Sequence, residues 1–353
     1  MMKLSRKIIE GIHKVGSAFE LYHYLQSAVE LEHSTIPPYL TAMFSLKQGV
    51  NDQIANLIRQ IVMQEMLHMT IASNILIAIG GHPKINKRRF VPDYPGNLPM
   101  DIGGKDFKVG IEAFSKELVK NVFMKIEEPE NIVPPGEALL AADDQEYATI
   151  GQFYQAIQQK LRQLPPAIFK LGNPEHQVLS WFRPEWLFPI TDAETACAAI
   201  EIIITQGEGT SISPFEGSSD ARPYDPAHYY KFEEIYEGKR IIPTPPPYSF
   251  GGPEIPFDPD GVYPLQANCK IDQFQVGTQA RTRIEQFAYS YSSLLNALHK
   301  TFNGHPNNID TAIGLMYSLK MEAVALMQTD VPGGNGLTVG PSYEYTNVQG
   351  GMD

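Results

Sequence analysis

The feature of this sequence that most constrains its fold is the motif Glu65-Met66-Leu67-His68. It places a carboxylate and an imidazole one helical turn apart. Apolar residues on both sides recur at helical spacing, so both polar groups are expected on the inward face. Those apolar residues are Ile54, Ile58, Ile61, Ala72, Ile75, Leu76 and Ile79. Burying an isolated carboxylate is costly, so the chain must supply a compensating group, and a metal ion is a strong candidate.

The periodicity of the chain predicts an all-α fold built on a four-helix bundle with long insertions and extra C-terminal helices. The four bundle helices are predicted at residues 17–46, 52–79, 191–208 and 225–237. A short turn joins the first two, which makes them antiparallel neighbours. Pro37 and Pro38 are expected to kink the first helix or divide it in two. Asp192 is a candidate cap for the third helix.

The domain organisation follows from changes in composition along the chain. Residues 1–240 are predicted to form the bundle, with an insertion at about 84–190, and residues 241–270 a proline-rich wrapping segment. Residues 271–330 are predicted as a helical pair packed on the bundle, and 331–353 as a flexible tail with little to bury. Further helices are predicted at 111–125, 144–164, 271–302 and 308–327.

Composition narrows the range of partners and compartments. A net charge of -12 argues against binding nucleic acid or an anionic membrane through general electrostatics. Cys197 and Cys269 lie far apart and in no metal-ligand spacing, which indicates a reducing compartment without a disulfide scaffold. No apolar run approaches the ~20 residues of a membrane span, and the N-terminus lacks the apolar core of a signal peptide. The cytoplasm is therefore the expected location.

Candidate metal ligands occur on each of the four predicted bundle helices. Glu32 falls on the apolar stripe of the first helix and lies about as far from the connecting turn as Glu65, so the two can face each other. Asp225-Pro226-Ala227-His228 repeats the carboxylate-x-x-His spacing on the fourth helix.

The third helix offers two acids, Glu201 and Glu208, on one face. They are separated by about 10 Å along the axis, whereas paired metal ions lie roughly 4 Å apart, so one of the two is expected to ligate. Glu208 is favoured because it ends its helix beside the loop that leads to Asp225 and His228. Glu201 would then lie behind the ligands or handle protons.

Each of these residues has a simpler interpretation. A histidine on a helical stripe is usually a hydrogen-bonded core or surface residue, and Glu32 alone is compatible with partial exposure. Asp225 has two equally good explanations, as a helix cap and as a metal ligand. The joint occurrence of acids and histidines on four inward faces favours a metal site. Oxygen-rich ligation with two histidines suits iron, as a di-iron pair, or manganese, with zinc as a further occupant.

With these residues in place, the chain resembles a bacterial ferritin-like family. That family contains the iminophenyl-pyruvate dimer synthase domain of the imine-dimer synthases of violacein, rebeccamycin and staurosporine biosynthesis. The matching stretches are Leu31-Glu32, Thr35-Ile36-Pro37-Pro38-Tyr39-Leu40, Glu65-Met66-Leu67-His68, Thr149-Ile150-Gly151-Gln152-Phe153-Tyr154, Gln206-Gly207-Glu208-Gly209 and His228-Tyr229-Tyr230-Lys231-Phe232. The resemblance implies a ferritin-like bundle and functional roles for Glu32, Glu65, His68, Glu208 and His228. In the pathway enzymes, the reaction is the oxidative coupling of two imines derived from an aromatic amino acid.

Three functions are compatible with these observations. The first is an oxidoreductase whose di-metal centre activates dioxygen or peroxide to oxidise a small organic substrate, in secondary metabolism. The second is a ferroxidase or metal store, although large insertions would obstruct a storage shell and favour a small homo-oligomer. The third is a helical protein with a vestigial site that acts as a partner in a biosynthetic complex. A fold does not fix a function, so the site must decide among them.

Overall fold

The fold is described by a computed structural model. It covers residues 4–129, 147–207, 214–215, 225–244 and 247–346. The α-helices are α1 (Arg6–Lys14), α2 (Ala18–Ser45), α3 (Asp52–Ala78), α4 (Lys116–Leu118), α5 (Met124–Ile126), α6 (Ile150–Gln163), α7 (Ala193–Gly207), α8 (His228–Glu237), α9 (Gln279–Phe302) and α10 (Ile309–Met327). A π-helical turn, Val119–Phe123, joins α4 to α5. Short 3-10 helices occupy Arg88–Phe90, Pro99–Asp101, Pro166–Lys170, Pro174–His176, Pro259–Gly261, Ile271–Gln273 and Pro306–Asn308. The predicted all-α fold is confirmed.

The described strands are two very short ones that tie the N-terminus to the insertion. Strand β1 (Leu4–Ser5) pairs antiparallel with β2 (Tyr147–Ala148). Leu4 lies opposite Ala148 in this register and is buried. Helix α1 follows β1 directly and packs on α6.

Helices α2 and α3 form the centre of the bundle. Their apolar side chains are buried against each other, and α3 also contacts α7 and α8. Among the helices of the described ranges, α3 is long and apolar enough to cross a membrane by length and composition. Its 18-residue apolar window is, however, 83% buried inside the protein, as in the core helix of a soluble protein.

Pro37 and Pro38 do not divide α2, which runs unbroken from Ala18 to Ser45. A proline in a helix leaves the carbonyl four residues earlier without its usual donor. For Pro38 that carbonyl belongs to Ser34, and the hydroxyl of Tyr94 donates to it at 2.7 Å. The insertion therefore supplies the hydrogen bond that the proline removes, so the helix can continue.

Helices α6 and α7 form a second pair that packs beside α3. The side chain of Asp192 caps α7, because its Oδ1 accepts a hydrogen bond from the backbone N–H of Thr195 at 2.8 Å. This confirms the predicted cap. Helix α6 begins with a capping box, in which the Thr149 hydroxyl accepts from the N–H of Gln152 at 3.1 Å and the Gln152 side chain accepts from the N–H of Thr149.

The Thr149 cap should contribute measurably to stability. Thr149→Ala removes the hydroxyl that satisfies a free N–H at the start of α6, so the free energy of unfolding is expected to fall by about 1 kcal/mol. Thr205→Ala makes the same change inside α7, where the hydroxyl donates to backbone carbonyls of its own helix and caps no N–H group. Urea denaturation of both variants measures the difference, and an equal loss in both would contradict the capping role.

The chain after α8 forms short bridges, mostly within itself, and is followed by two long helices that pack on the bundle. Residues near 239–262 form isolated bridges, including one between Val262 and Leu46 at the turn that joins α2 to α3. Helices α9 and α10 pack on each other and contact α3 and α2, respectively.

The segment after α10 is more buried than its composition suggests. Tyr343 is buried, contacts the rings of Phe287 and Tyr291, and lies within hydrogen-bond distance of the Thr41 hydroxyl at 3.2 Å. This packing differs from the expectation of a tail with little to bury, because Val339 and Tyr343 are both part of the hydrophobic core. Residues 347–353 of the predicted tail lie outside the described residues.

Candidate metal centre

Four of the predicted ligands meet in the interior of the bundle. Helix α2 supplies Glu32, α3 supplies Glu65 and His68, and the first residue of α8 is His228. These four residues are between 0% and 5% exposed. Glu65 and His68 share one face of α3 because they are three residues apart, as the motif predicts.

The first group of donors consists of Glu32, Glu65 and His68. One potential ligand atom from each lies within 4.8 Å of the others. Glu32 Oε2 lies 3.5 Å from His68 Nδ1. Two carboxylates and an imidazole at this spacing can hold one cation.

A second group of donors consists of Glu65, Glu127 and His228, and one potential ligand atom from each of these also lies within 4.8 Å of the others. His228 Nδ1 lies 2.9 Å from Glu65 Oε1 and 3.4 Å from Glu127 Oε2. Because Glu65 belongs to both groups, it joins two adjacent cation positions. This is the arrangement expected of a carboxylate that bridges two metal ions.

Glu127 was missed by the sequence analysis. The predicted helix at 111–125 stops just before it, whereas the observed helical segment ends with α5 and leads directly into Glu127. The π-turn Val119–Phe123 lies one turn upstream, and such turns are frequent at functional sites. The available signal was an acid four residues after Phe123, on the buried face that Phe123 and Ile126 define.

Each of the three carboxylates is held by a hydroxyl group on its outer oxygen. Thr35 donates to Glu65 Oε2 at 2.7 Å, and Tyr39 donates to Glu127 Oε1 at 2.5 Å. Tyr154 of α6, a further residue that the sequence analysis did not assign, donates to Glu32 Oε1. The other oxygen of each carboxylate thereby approaches a histidine.

Burial controls the protonation of these groups. It raises the pKa of Glu65 well above its usual value, and the nearby carboxylates of Glu127 and Glu32 raise this pKa further. Burial likewise raises the pKa of Tyr39 and of Tyr154, with additional contributions from Glu127 and Glu32, respectively. Both tyrosines therefore keep their protons and remain hydrogen-bond donors.

The two histidines present the same nitrogen to the centre. Nδ1 of His68 and Nδ1 of His228 face the carboxylates, and their Nε2 atoms contact the side-chain Oε1 atoms of Gln206 at 3.1 Å and Gln64 at 3.2 Å. An amide oxygen accepts a hydrogen bond, so each Nε2 carries the proton. Outer contacts of this kind orient metal-binding histidines.

The residues present fit a metal pair. Within the described part of the chain, His228 Nδ1 is fully buried without a hydrogen-bond partner, although Glu65 Oε1 is 2.9 Å away. Two lone-pair atoms at this distance repel each other unless a proton or a cation lies between them. Four members of the groups border a cavity of about 30 Å³, which suits ions or water; they are Glu32, Glu65, His68 and Glu127. Three carboxylates and two imidazoles suit iron or manganese.

The remaining predicted ligands are not brought into either group. Glu201 is exposed, and its Oε2 lies 3.4 Å from Gln158 Nε2. Asp225 pairs with Lys231 at 3.2 Å. The expected helical pairing of Asp225 with His228 does not occur, because α8 begins at His228 and the two do not share a helix face. Glu208 lies outside the described residues, although Gly207 before it borders the cavity.

The fold and the two joined donor groups fit the class of helix-bundle proteins that bind paired metal ions. Comparison with protein families gives a match to the Ferritin-like family over residues 25–237. This match covers more than half of the chain, which therefore belongs to the Ferritin-like family.

Solved structures include a similar fold. The chain is similar to the crystal structure of a ferritin-like protein from Caulobacter vibrioides, with 23% sequence identity and a TM-score of 0.59. The similarity covers 92% of this chain and 97% of that one, so it includes the insertion and C-terminal segments as well as the bundle. No curated protein matches the sequence.

Proposed function

We propose that this protein is a di-metal carboxylate oxidoreductase that uses dioxygen or peroxide to oxidise a small organic substrate. The observation that carries the proposal is the sharing of Glu65 between two adjacent donor groups. A single structural ion would need only one such group. Iron is the proposed metal, with manganese as the alternative and zinc as a redox-inactive occupant.

The side chains around the centre have defined tasks in this proposal. When bound, a redox-active metal pair supplies the electrons that dioxygen or peroxide activation requires. Tyr154, Tyr39 and Thr35 hold the three carboxylates by their outer oxygens. Apolar walls limit the access of water that would compete for the open positions; they are formed by Leu31, Ile126, Ile150, Ile203 and Ile204.

The biological setting is also proposed. The sequence resemblance to imine-dimer synthases supports oxidation of a nitrogen-containing aromatic substrate in secondary metabolism. The cytoplasm is the proposed compartment, since both cysteines are free, as expected of a reducing environment. A small homo-oligomer without nucleic-acid or membrane partners agrees with the net charge of -12.

Metal analysis combined with spectroscopy tests the function. Protein expressed in iron-supplemented medium is expected to contain two metal ions per chain, and its absorbance is expected to change on reduction and return on exposure to air. Glu201→Gln is the matched control, because Glu201 is exposed and in neither group, and it should behave like the native protein. Protein without iron, manganese or zinc would refute the metal centre, and bound metal that never changes redox state would refute the oxidoreductase.

A further inference from the structure

A lysine is almost completely buried beside the metal centre. Lys231 lies one turn after His228 on α8, and its side chain is 1% exposed. Its Nζ contacts Gln64 Oε1 at 2.8 Å and Asp225 Oδ2 at 3.2 Å. A lysine ammonium group has only donors, so the Gln64 atom that it contacts must be the oxygen. Lys231 therefore fixes the orientation of the Gln64 amide, and Asp225 helps to hold the lysine in place.

The same oxygen of Gln64 contacts His228 Nε2 at 3.2 Å. Because this oxygen can only accept, Nε2 carries a proton. Of the two neutral forms of the ring, this is the one that leaves Nδ1 without a proton, with its lone pair directed toward Glu65 and Glu127. This is the form in which an imidazole binds a metal ion.

We propose that Lys231 is a positioning residue that acts through Gln64 to hold His228 in the Nε2–H tautomer, with Nδ1 ready to bind a cation. The tautomer is a property of the metal-free protein, whereas the binding of a metal ion by His228 rests on the proposed function. In this proposal the Asp225 carboxylate holds the Lys231 ammonium group and does not bind metal.

His68 provides an internal comparison. Its Nε2 contacts Gln206 Oε1 at 3.1 Å. In the described ranges, the Gln206 amide has no lysine or arginine contact comparable to that of Lys231 with Gln64. Removal of the lysine should therefore alter His228 and leave His68 unchanged.

The experiment is ring-nitrogen NMR of metal-free protein labelled with ¹⁵N-histidine. In the native protein the His228 signals should be those of the Nε2–H tautomer. Lys231→Met keeps most of the buried stem but no donor, so the Gln64 amide can rotate and a mixture with the Nδ1–H tautomer is expected. Lys231→Arg restores a donor-only group and should restore the native signals. Gln64→Leu keeps Lys231 and Asp225 together, and it should produce the same mixture even if Lys231→Met folds poorly.

Titration with Mn²⁺ gives an independent measurement. Lys231→Met and Gln64→Leu are expected to weaken Mn²⁺ binding by about 10–100-fold, the usual effect of losing an outer contact to a metal-binding histidine. Unchanged His228 signals in both variants would overturn the proposal, as would an Nδ1–H tautomer or a doubly protonated ring in the native protein. A tautomer change in protein that binds no Mn²⁺ or Fe²⁺ would support the role of Lys231 while refuting the proposed function.

Discussion

Replacement of Glu65 by glutamine is expected to stabilise the metal-free protein and to abolish its stabilisation by metal. The carboxylate is 3% exposed, and the carboxylates of Glu32 and Glu127 raise its pKa further after burial has raised it. Each unit of a burial-raised pKa that lies below the working pH costs the folded protein about 1.4 kcal/mol, and a neutral amide does not carry that cost. Glutamine keeps an oxygen for Thr35 and gains an N–H that can donate to the unpartnered Nδ1 of His228.

The native protein should behave in the opposite way when metal is added. A ligand at 1,000 times its dissociation constant stabilises the folded state by about 4 kcal/mol, and Glu65→Gln loses the carboxylate that serves both groups. In thermal unfolding, Glu65→Gln should therefore be the more stable protein with chelator, and the native protein should be the more stable one with Mn²⁺. The same order under both conditions would contradict a metal role for Glu65, and Glu201→Gln should show neither change.

The pH dependence of the metal-free protein provides a further check. The pKa of Glu65 is raised in the folded state, so that state binds more protons than the unfolded state. The free energy of unfolding is therefore higher at low pH, and this contribution of Glu65 is lost as the pH rises from its unfolded pKa through its folded pKa. The advantage of Glu65→Gln over the native metal-free protein should accordingly shrink as the pH is lowered, and an advantage that grows would contradict the assignment.

The sequence was sufficient to predict which candidate ligands on long, regular helices lie close together. Glu32, Glu65 and His68 lie on α2 and α3, where a fixed rise and turn convert sequence spacing into position. His228 was also placed correctly, although the argument used for it does not hold. Its predicted partner, Asp225, precedes the helix, and its carboxylate pairs with Lys231 instead.

Glu127 could not be derived in the same way because its position depends on tertiary packing. It follows a π-turn in an insertion rather than a bundle helix, and helical periodicity of 3.6 residues does not extend through such a turn. Its contact with Tyr39 joins residues 88 positions apart. Tyr154 was difficult for the same reason, since only the tertiary position of α6 brings its hydroxyl to Glu32.

Single substitutions on the two sides of the centre are expected to remove one metal ion each. Glu32 belongs only to the first group and Glu127 only to the second, whereas Glu65 belongs to both. Metal content should therefore fall from two ions per chain to one in Glu32→Ala and in Glu127→Ala, and toward none in Glu65→Ala. Glu128→Ala is the matched control for Glu127, because Glu128 is the adjacent acid and lies in neither group.

The measurement is the metal content of the folded fraction after dialysis, combined with EPR of Mn²⁺-loaded protein. Two neighbouring Mn²⁺ ions couple magnetically, so the coupled signal of the native protein should give way to that of an isolated ion in Glu32→Ala and Glu127→Ala. If Glu127→Ala retained two ions while Glu32→Ala lost one, the second position would depend on other ligands. The bridging role of Glu65 would then have no basis, because that role requires Glu127 and His228 to complete the second group.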